Sequence, residues 1–320
     1  MKTSSHRWYT VIYKSEKKYL LKLSFLKTVN FIVDQRKGIL KLYNKRILSV
    51  RLERCLSDIC LSDISDWMTT NMLKLNQDKT ELIVFAPKHR IKHLSEFSLP
   101  FNRTIVNDVS CVKNLGVFMD KTLSMERVRA VTKSCFHQIL NIDKIGPFIT
   151  ENACKTLVCS PVVTSWLDYG NALLYGVNNC ILSKLQRVQN TTARLISRRK
   201  KHESITPVLI SLHWLPVQYR GKYKILMYVF KALHGKAPRY LEELFLSIYQ
   251  PTRALRSENQ SLLKPPSDAL TRTYGDRRLD TAAATLWNNL PNSLRNIQSV
   301  DSFNKDLKTH LLRQAYRDYL

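Results

Sequence analysis

Glycine is scarce in this chain, with eight in 320 residues, and no glycine-rich stretch of the kind that cradles phosphate occurs. Acidic residues are scarce as well. There are 25 Asp and Glu against 51 Lys and Arg, a formal net charge of +26. Such an excess repels itself in the compact state and favours polyanionic partners, nucleic acid or anionic lipid. No apolar run approaches the roughly 18 residues that would suggest a membrane span, and the opening MKTSSHRWYT lacks the apolar core of a signal peptide. No membrane partner is therefore expected. Cysteine occurs seven times, an odd number with no framework spacing and no C-x-x-C pair. That points to an intracellular, reducing compartment, nucleus or cytoplasm alike. Cys55/Cys60 and Cys154/Cys159 are each five apart, which does not place both on one helical face, so a zinc site is not expected. His202 and His213 have no acidic or cysteine companions at catalytic spacing, and no Ser-His-Asp or Cys-His arrangement can be built. No two aspartates are adjacent anywhere.

What the chain does have is basic charge laid along a helix. Over 180–199, Ile181, Leu182, Leu185, Val188, Thr192, Leu195 and Ile196 share one arc of a 3.6-residue wheel. Lys184, Arg187, Arg194 and Arg198 take the opposite arc, and Arg199, Lys200 and Lys201 carry the charge past the helix end. From 184 to 201 there are seven basic residues and no acidic one. A helix of this kind buries one face and offers the other to a polyanion, or it is a solvated surface helix that keeps the protein soluble. Spacing alone leaves both open.

Three pieces of this region, Leu185-Gln186-Arg187-Val188-Gln189-Asn190, Ala193-Arg194-Leu195-Ile196 and Leu212-His213-Trp214-Leu215-Pro216-Val217, resemble the part that follows the polymerase palm in non-LTR retrotransposon reverse transcriptases of the jockey and CR1 kind. Other motifs follow the same order. Trp67-Met68, Asn71-x-Leu73-Lys74-Leu75-Asn76 and Lys79-Thr80-Glu81 look like that family's motif D. By this resemblance Lys79 would protonate the leaving pyrophosphate, a role that needs positive charge or a proton beside a departing phosphoryl oxygen. Without it, Lys79 is a surface lysine opening a strand. The segment 112–120 resembles the primer-grip strand, with Leu115 and Gly116 at the turn that nears the primer end. Gly116 equally suits a simple bulge.

The family's metal site is what is missing. Two-metal polymerisation needs carboxylates clamping ions about 4 Å apart, supplied in the family partly by an adjacent Asp pair ahead of the Trp67 equivalent. The nearest candidate, Phe31-Ile-Val-Asp34, has one carboxylate, and Asp58, Asp63 and Asp66 fall on a helix expected over 50–72, where they cap or solvate it. No catalytic set is intact, and no cofactor is expected here, although the intact family uses Mg2+.

The fold expected is α+β and predominantly α: a small antiparallel sheet, the palm remnant, then a helical thumb-like bundle and a helical C-terminal tail. Residues 1–50, with twelve basic residues against Glu16 and Asp34, read as a basic leader that is either poorly ordered or a nucleic-acid-binding arm. Residues 51–120 hold the partial palm, with strands near 81–86, 97–99, 103–106 and 112–120. The thumb-like part spans 121–203, with helices over 123–145, 151–175 (broken or kinked at Pro161) and 180–199. The C-terminal region spans 204–320, with helices from Thr206-Pro207 and over 218–235 and a long loop at about 246–274. Trp214 and Pro216 read as a helix–helix corner rather than a stacking site. Pro238-Arg-Tyr240-Leu241, Leu255-Arg256-Ser257, Tyr274-Gly275, Leu286-Trp287-Asn288-x-Leu290-Pro291 and Phe303-x-x-x-Leu307-Lys308 resemble the family's tail, with Leu279 where an aromatic is usual.

The resemblance implies a truncated RNA-directed DNA polymerase that is inactive alone. It would bind RNA or DNA, an RNA–DNA hybrid above all, through phosphate contacts from the seven basic residues. Arg187, Arg194 and Arg198 changed together to Glu are expected to abolish binding with helix content unaltered. Two other readings stand beside it: a helical protein-interaction module with a basic face, and a relic without function. Nothing in the sequence sets an oligomeric state.

Overall fold

A computed structural model of the chain describes residues 8–13, 69–72, 80–85, 91, 98–101, 104–114, 117–124, 128–158, 167–245, 262–266 and 276–319. It is an α+β protein, mostly helical, and its contacts divide it into two compact units, 1–125 and 126–320.

The first unit is built from antiparallel strand pairs. Strand β1 (Trp8–Tyr13) pairs with β2 (Thr80–Phe85), β3 (Ser98–Phe101) with β4 (Thr104–Asn107), and β5 (Cys111–Asn114) with β6 (Val117–Asp120). Among the described residues the small antiparallel sheet expected from the strand-like runs takes the form of three two-stranded pairs. β2 is apolar without alternation because both of its faces are covered: Leu82, Ile83, Val84 and Phe85 are all buried. Ile83, Phe85 and Val112 form the small core, with Val109, Met119 and Leu123 against it. A side chain links the pairs as well, since the Val84 amide donates to the Asp108 carboxylate at 3.1 Å and Lys121 also donates to it. β1 corrects the reading of 1–50, for at least 8–13 pairs in register with β2. The rest of 1–50, the expected helix over 50–72 apart from its last residues, Lys79, Leu115, Gly116 and most of the expected loop lie outside the described residues.

The second unit is helical. Its first core gathers α1 (Val128–Ile145), α2 (Glu151–Val158) and α3 (Asn179–Ser197), together with α4 (Thr206–Ser211). A 3-10 turn, Gly146–Phe148, ends α1 at a proline, and Thr150 starts α2 by accepting from the Ala153 amide at 3.2 Å. α2 is described over Glu151–Val158; Pro161, where the helix expected over 151–175 would break or kink, lies outside the described residues, and a second 3-10 turn, Asn171–Leu174, takes the last part of that range. α3 begins where the Asn178 side chain accepts from the Cys180 amide at 2.9 Å, and it buries Leu182, Leu185, Val188, Thr192, Ala193 and Ile196. Of the apolar arc expected of it, Leu182, Leu185, Val188, Thr192 and Ile196 are buried and Ile181 and Leu195 half-buried, and the polar Gln189 is buried beside them.

The second core surrounds α5 (Val217–Leu233), with α6 (Arg239–Phe245), α7 (Leu279–Asn288), the short α8 (Asn292–Arg295) and α9 (Val300–Ala315). Phe230 stacks on Phe303 with ring centroids 4.0 Å apart, and Trp287 lies 6.0 Å from Phe303. Gly221 lets α5 approach the Asn171–Leu174 turn: a Cβ there would stand 3.0 Å from the Asn171 carbonyl oxygen. The expected boundary at 203/204 separates no packed bodies. Val208, Leu209, Trp214 and Tyr316 all belong to the first core, and α3 packs on α5.

Candidate nucleic-acid interface

The site expected from the sequence is the solvent side of α3 and the turn that follows. Of its seven basic residues, Arg187, Arg198, Arg199, Lys200 and Lys201 are exposed, and Lys184 and Arg194 are half-buried. No described acidic residue lies on that face before Glu203, three residues past Lys200. Glu203 organises the turn. Its carboxylate accepts from the Lys200 amide at 3.0 Å and from Arg199 Nη1 at 3.3 Å, while its carbonyl accepts from Arg194 Nη2 at 3.2 Å.

Arg198 has a different task. It closes α3 in the left-handed conformation, with φ 51°, a position more often given to glycine. Its Nη2 donates to the carbonyls of Gly146 at 3.1 Å and Ile149 at 2.9 Å, tying the end of α3 to the turn after α1. Arg194, Arg198 and Arg199 thus hold the fold as well as carrying charge. The expectation that Arg194 and Arg198 turn to Glu without consequence for the fold is therefore corrected, because each substitution removes donors to backbone carbonyls. Lys184, Arg187, Lys200 and Lys201 are the remainder. Their side chains make no hydrogen bond or ion pair among the described residues.

The buried side of α3 bonds directly to the 214–217 corner. Gln186 Oε1 accepts from the Val217 amide at 2.9 Å, satisfying a first-turn amide of α5, and Gln189 Nε2 donates to the Leu215 carbonyl at 2.9 Å. The same carbonyl accepts from Arg220 Nε at 2.9 Å, and Arg220 Nη1 reaches Asp168 at 2.6 Å. The Trp214 carbonyl accepts from the Tyr316 hydroxyl at 2.9 Å. Burial pushes the Tyr316 phenol up to about 12 against the opposing pull of Arg220. Trp214 is buried and Pro216 half-buried at a helix–helix corner, as expected. The tail motif is held in a similar way: Trp287 and Leu290 are core, and the Asn288 side chain pins Leu263 through two 2.9 Å bonds to its backbone amide and carbonyl.

Arg220 and Glu203 were not singled out by the sequence reading. Glu203 was visible in principle, as the first acid after a long basic run. Arg220 had no local signal, because its partner Asp168 is far off in the chain. Among the described residues no group of three or more His, Cys, Asp or Glu is gathered as a metal site. Two carboxylates of the first unit are engaged within it, Asp108 as described and Asp120 by the amides and hydroxyls of Thr122 and Ser124. Asp34, Asp58, Asp63 and Asp66 lie outside the described residues. None of the described helices is long and apolar enough to cross a membrane. In comparisons with known proteins no family model matches the chain, and no match was found among curated proteins or solved structures.

Proposed function

We propose that this chain is the C-terminal portion of a non-LTR retrotransposon reverse transcriptase, a truncated RNA-directed DNA polymerase that binds a template–primer duplex but does not extend it. Palm remnant, thumb and tail would correspond to the strand-paired unit, the first helical core and the second. The observation that carries the binding reading is the face of α3, where Lys184, Arg187, Lys200 and Lys201 have no partner among the described residues. Cations left in this state suit the phosphate backbone, which asks for charge rather than base readout. Support for the family comes from the way its scattered pieces meet, with Gln186 and Gln189 bonding the 214–217 corner.

The test is fluorescence anisotropy of the full chain against a labelled RNA–DNA hybrid from low to physiological salt, then with magnesium and nucleotides added. The expected result is binding that weakens steeply with salt and no primer extension. Extension would overturn the inactive assignment. No binding at low salt would leave the protein-interaction module.

A further inference from the structure

We propose that Phe148 is a stacking platform for an unpaired base of the nucleic acid held by the α3 face, an inference that rests on the binding reading above. Phe148 closes the Gly146–Phe148 turn and is 87% exposed, and Ile145 and Leu140 before it are 44% and 60% exposed. Single exposed apolar residues are ordinary on protein surfaces. This one differs in how it is held. Pro147 restricts the backbone just before it, and the Arg198 guanidinium binds the carbonyls on both sides of it, Gly146 and Ile149. The phenyl ring is therefore presented from an anchored turn, and no other ring among the described residues stacks on it.

The anchor also fixes what lies alongside. Arg198 begins the run Arg198-Arg199-Lys200-Lys201, so Lys201 lies within about 11 Å of it along the chain, at ~3.8 Å per residue. Lys144 sits four residues before Phe148. The acidic groups nearby are Asp143 and Glu151, both close enough to act electrostatically on the Cys154 thiol, and Glu203, which is taken up by Arg199 and the Lys200 amide. Five cations against three acids leave the surroundings positive. A flat aromatic face beside a positive strip is the arrangement that takes single-stranded nucleic acid, with the base on the ring and phosphates along the cations, tolerant of sequence. An apolar protein partner would gain nothing from that charge.

The experiment uses the full chain, a blunt RNA–DNA hybrid, and the same hybrid carrying a short unpaired overhang with 2-aminopurine. Phe148→Ala should weaken overhang binding about tenfold and leave the blunt hybrid within twofold. Phe148→Trp should keep overhang affinity. The wild type and the Trp variant should quench 2-aminopurine emission, and the Ala variant should not. Equal affinities of Phe148→Ala and wild type for the overhang hybrid would overturn the inference. So would an equal loss on both hybrids, or a loss of self-association with nucleic-acid binding unchanged. Failure of the wild type to bind the blunt hybrid would defeat the binding reading itself, whereas blunt binding with no overhang effect defeats this inference alone.

Discussion

The basic residues along α3 and the turn after it are alike in charge and fall into two groups by what they bond. In one, Arg194, Arg198 and Arg199 spend their guanidiniums on Glu203, Gly146 and Ile149. In the other, Lys184, Arg187, Lys200 and Lys201 have no such partners among the described residues. Arg220 marks the far end of the series, with 8% exposure and bonds to a carbonyl and a carboxylate. Positive charge in this protein thus ranges from internal brace to open surface, and a count of Lys and Arg does not distinguish them. The planar five-donor guanidinium suits the bracing role, which Arg194, Arg198, Arg199 and Arg220 take, while Arg187 stays open beside three lysines.

Removing a brace should cost stability, and removing an open cation should cost only binding. The largest effect is expected for Arg220→Met, which frees the Leu215 carbonyl of one donor and parts Asp168 from its cation. A loss of about 2–3 kcal/mol in urea unfolding is expected. Arg198→Met should lose about 1 kcal/mol, read as a lower denaturation midpoint, because two backbone carbonyls return to water. Tyr316→Phe should cost about as much at neutral pH but change the alkaline behaviour. The native phenol is held up to about 12 against an ordinary value of 10.0. Its stabilisation is therefore complete below pH 10 and is lost as the pH rises toward 12. The Phe variant should show a shallower decline across that window, measured by thermal unfolding. The smallest effect on stability belongs to Lys184, Arg187, Lys200 and Lys201 changed together to Gln, with each substitution within about 0.5 kcal/mol of neutral.

α1, α3 and α5 were legible because each carries its own period. The arc of α3 from Leu182 to Ile196 is buried as a face, and Gly146-Pro147 and Gly235 stop their helices where a local rule puts them. The strand run at β2 was legible as well, since Leu82 to Phe85 is continuously apolar. What could not be read is what joins distant positions. β1 was missed because its partner lies far along the chain and its own residues show no clear alternation. The Tyr316–Trp214 bond, the Arg220–Asp168 pair and the Gln186–Val217 cap each tie elements whose spacing follows no period. For the same reason the boundary drawn at 203/204 falls inside one unit. The candidate face was half legible: its charge was plain in the sequence, but its division into bracing and open cations depends on Glu203, Gly146 and Ile149.

The most direct test is the salt dependence of hybrid affinity for the wild-type chain and for the Lys184, Arg187, Lys200 and Lys201 to Gln variant, measured side by side. If these four cations meet phosphates, the slope of log affinity against log salt should be shallower in the variant by about 3 to 4, with the unfolding midpoint unmoved. An equal slope in both proteins would contradict the account and place any binding elsewhere on the chain.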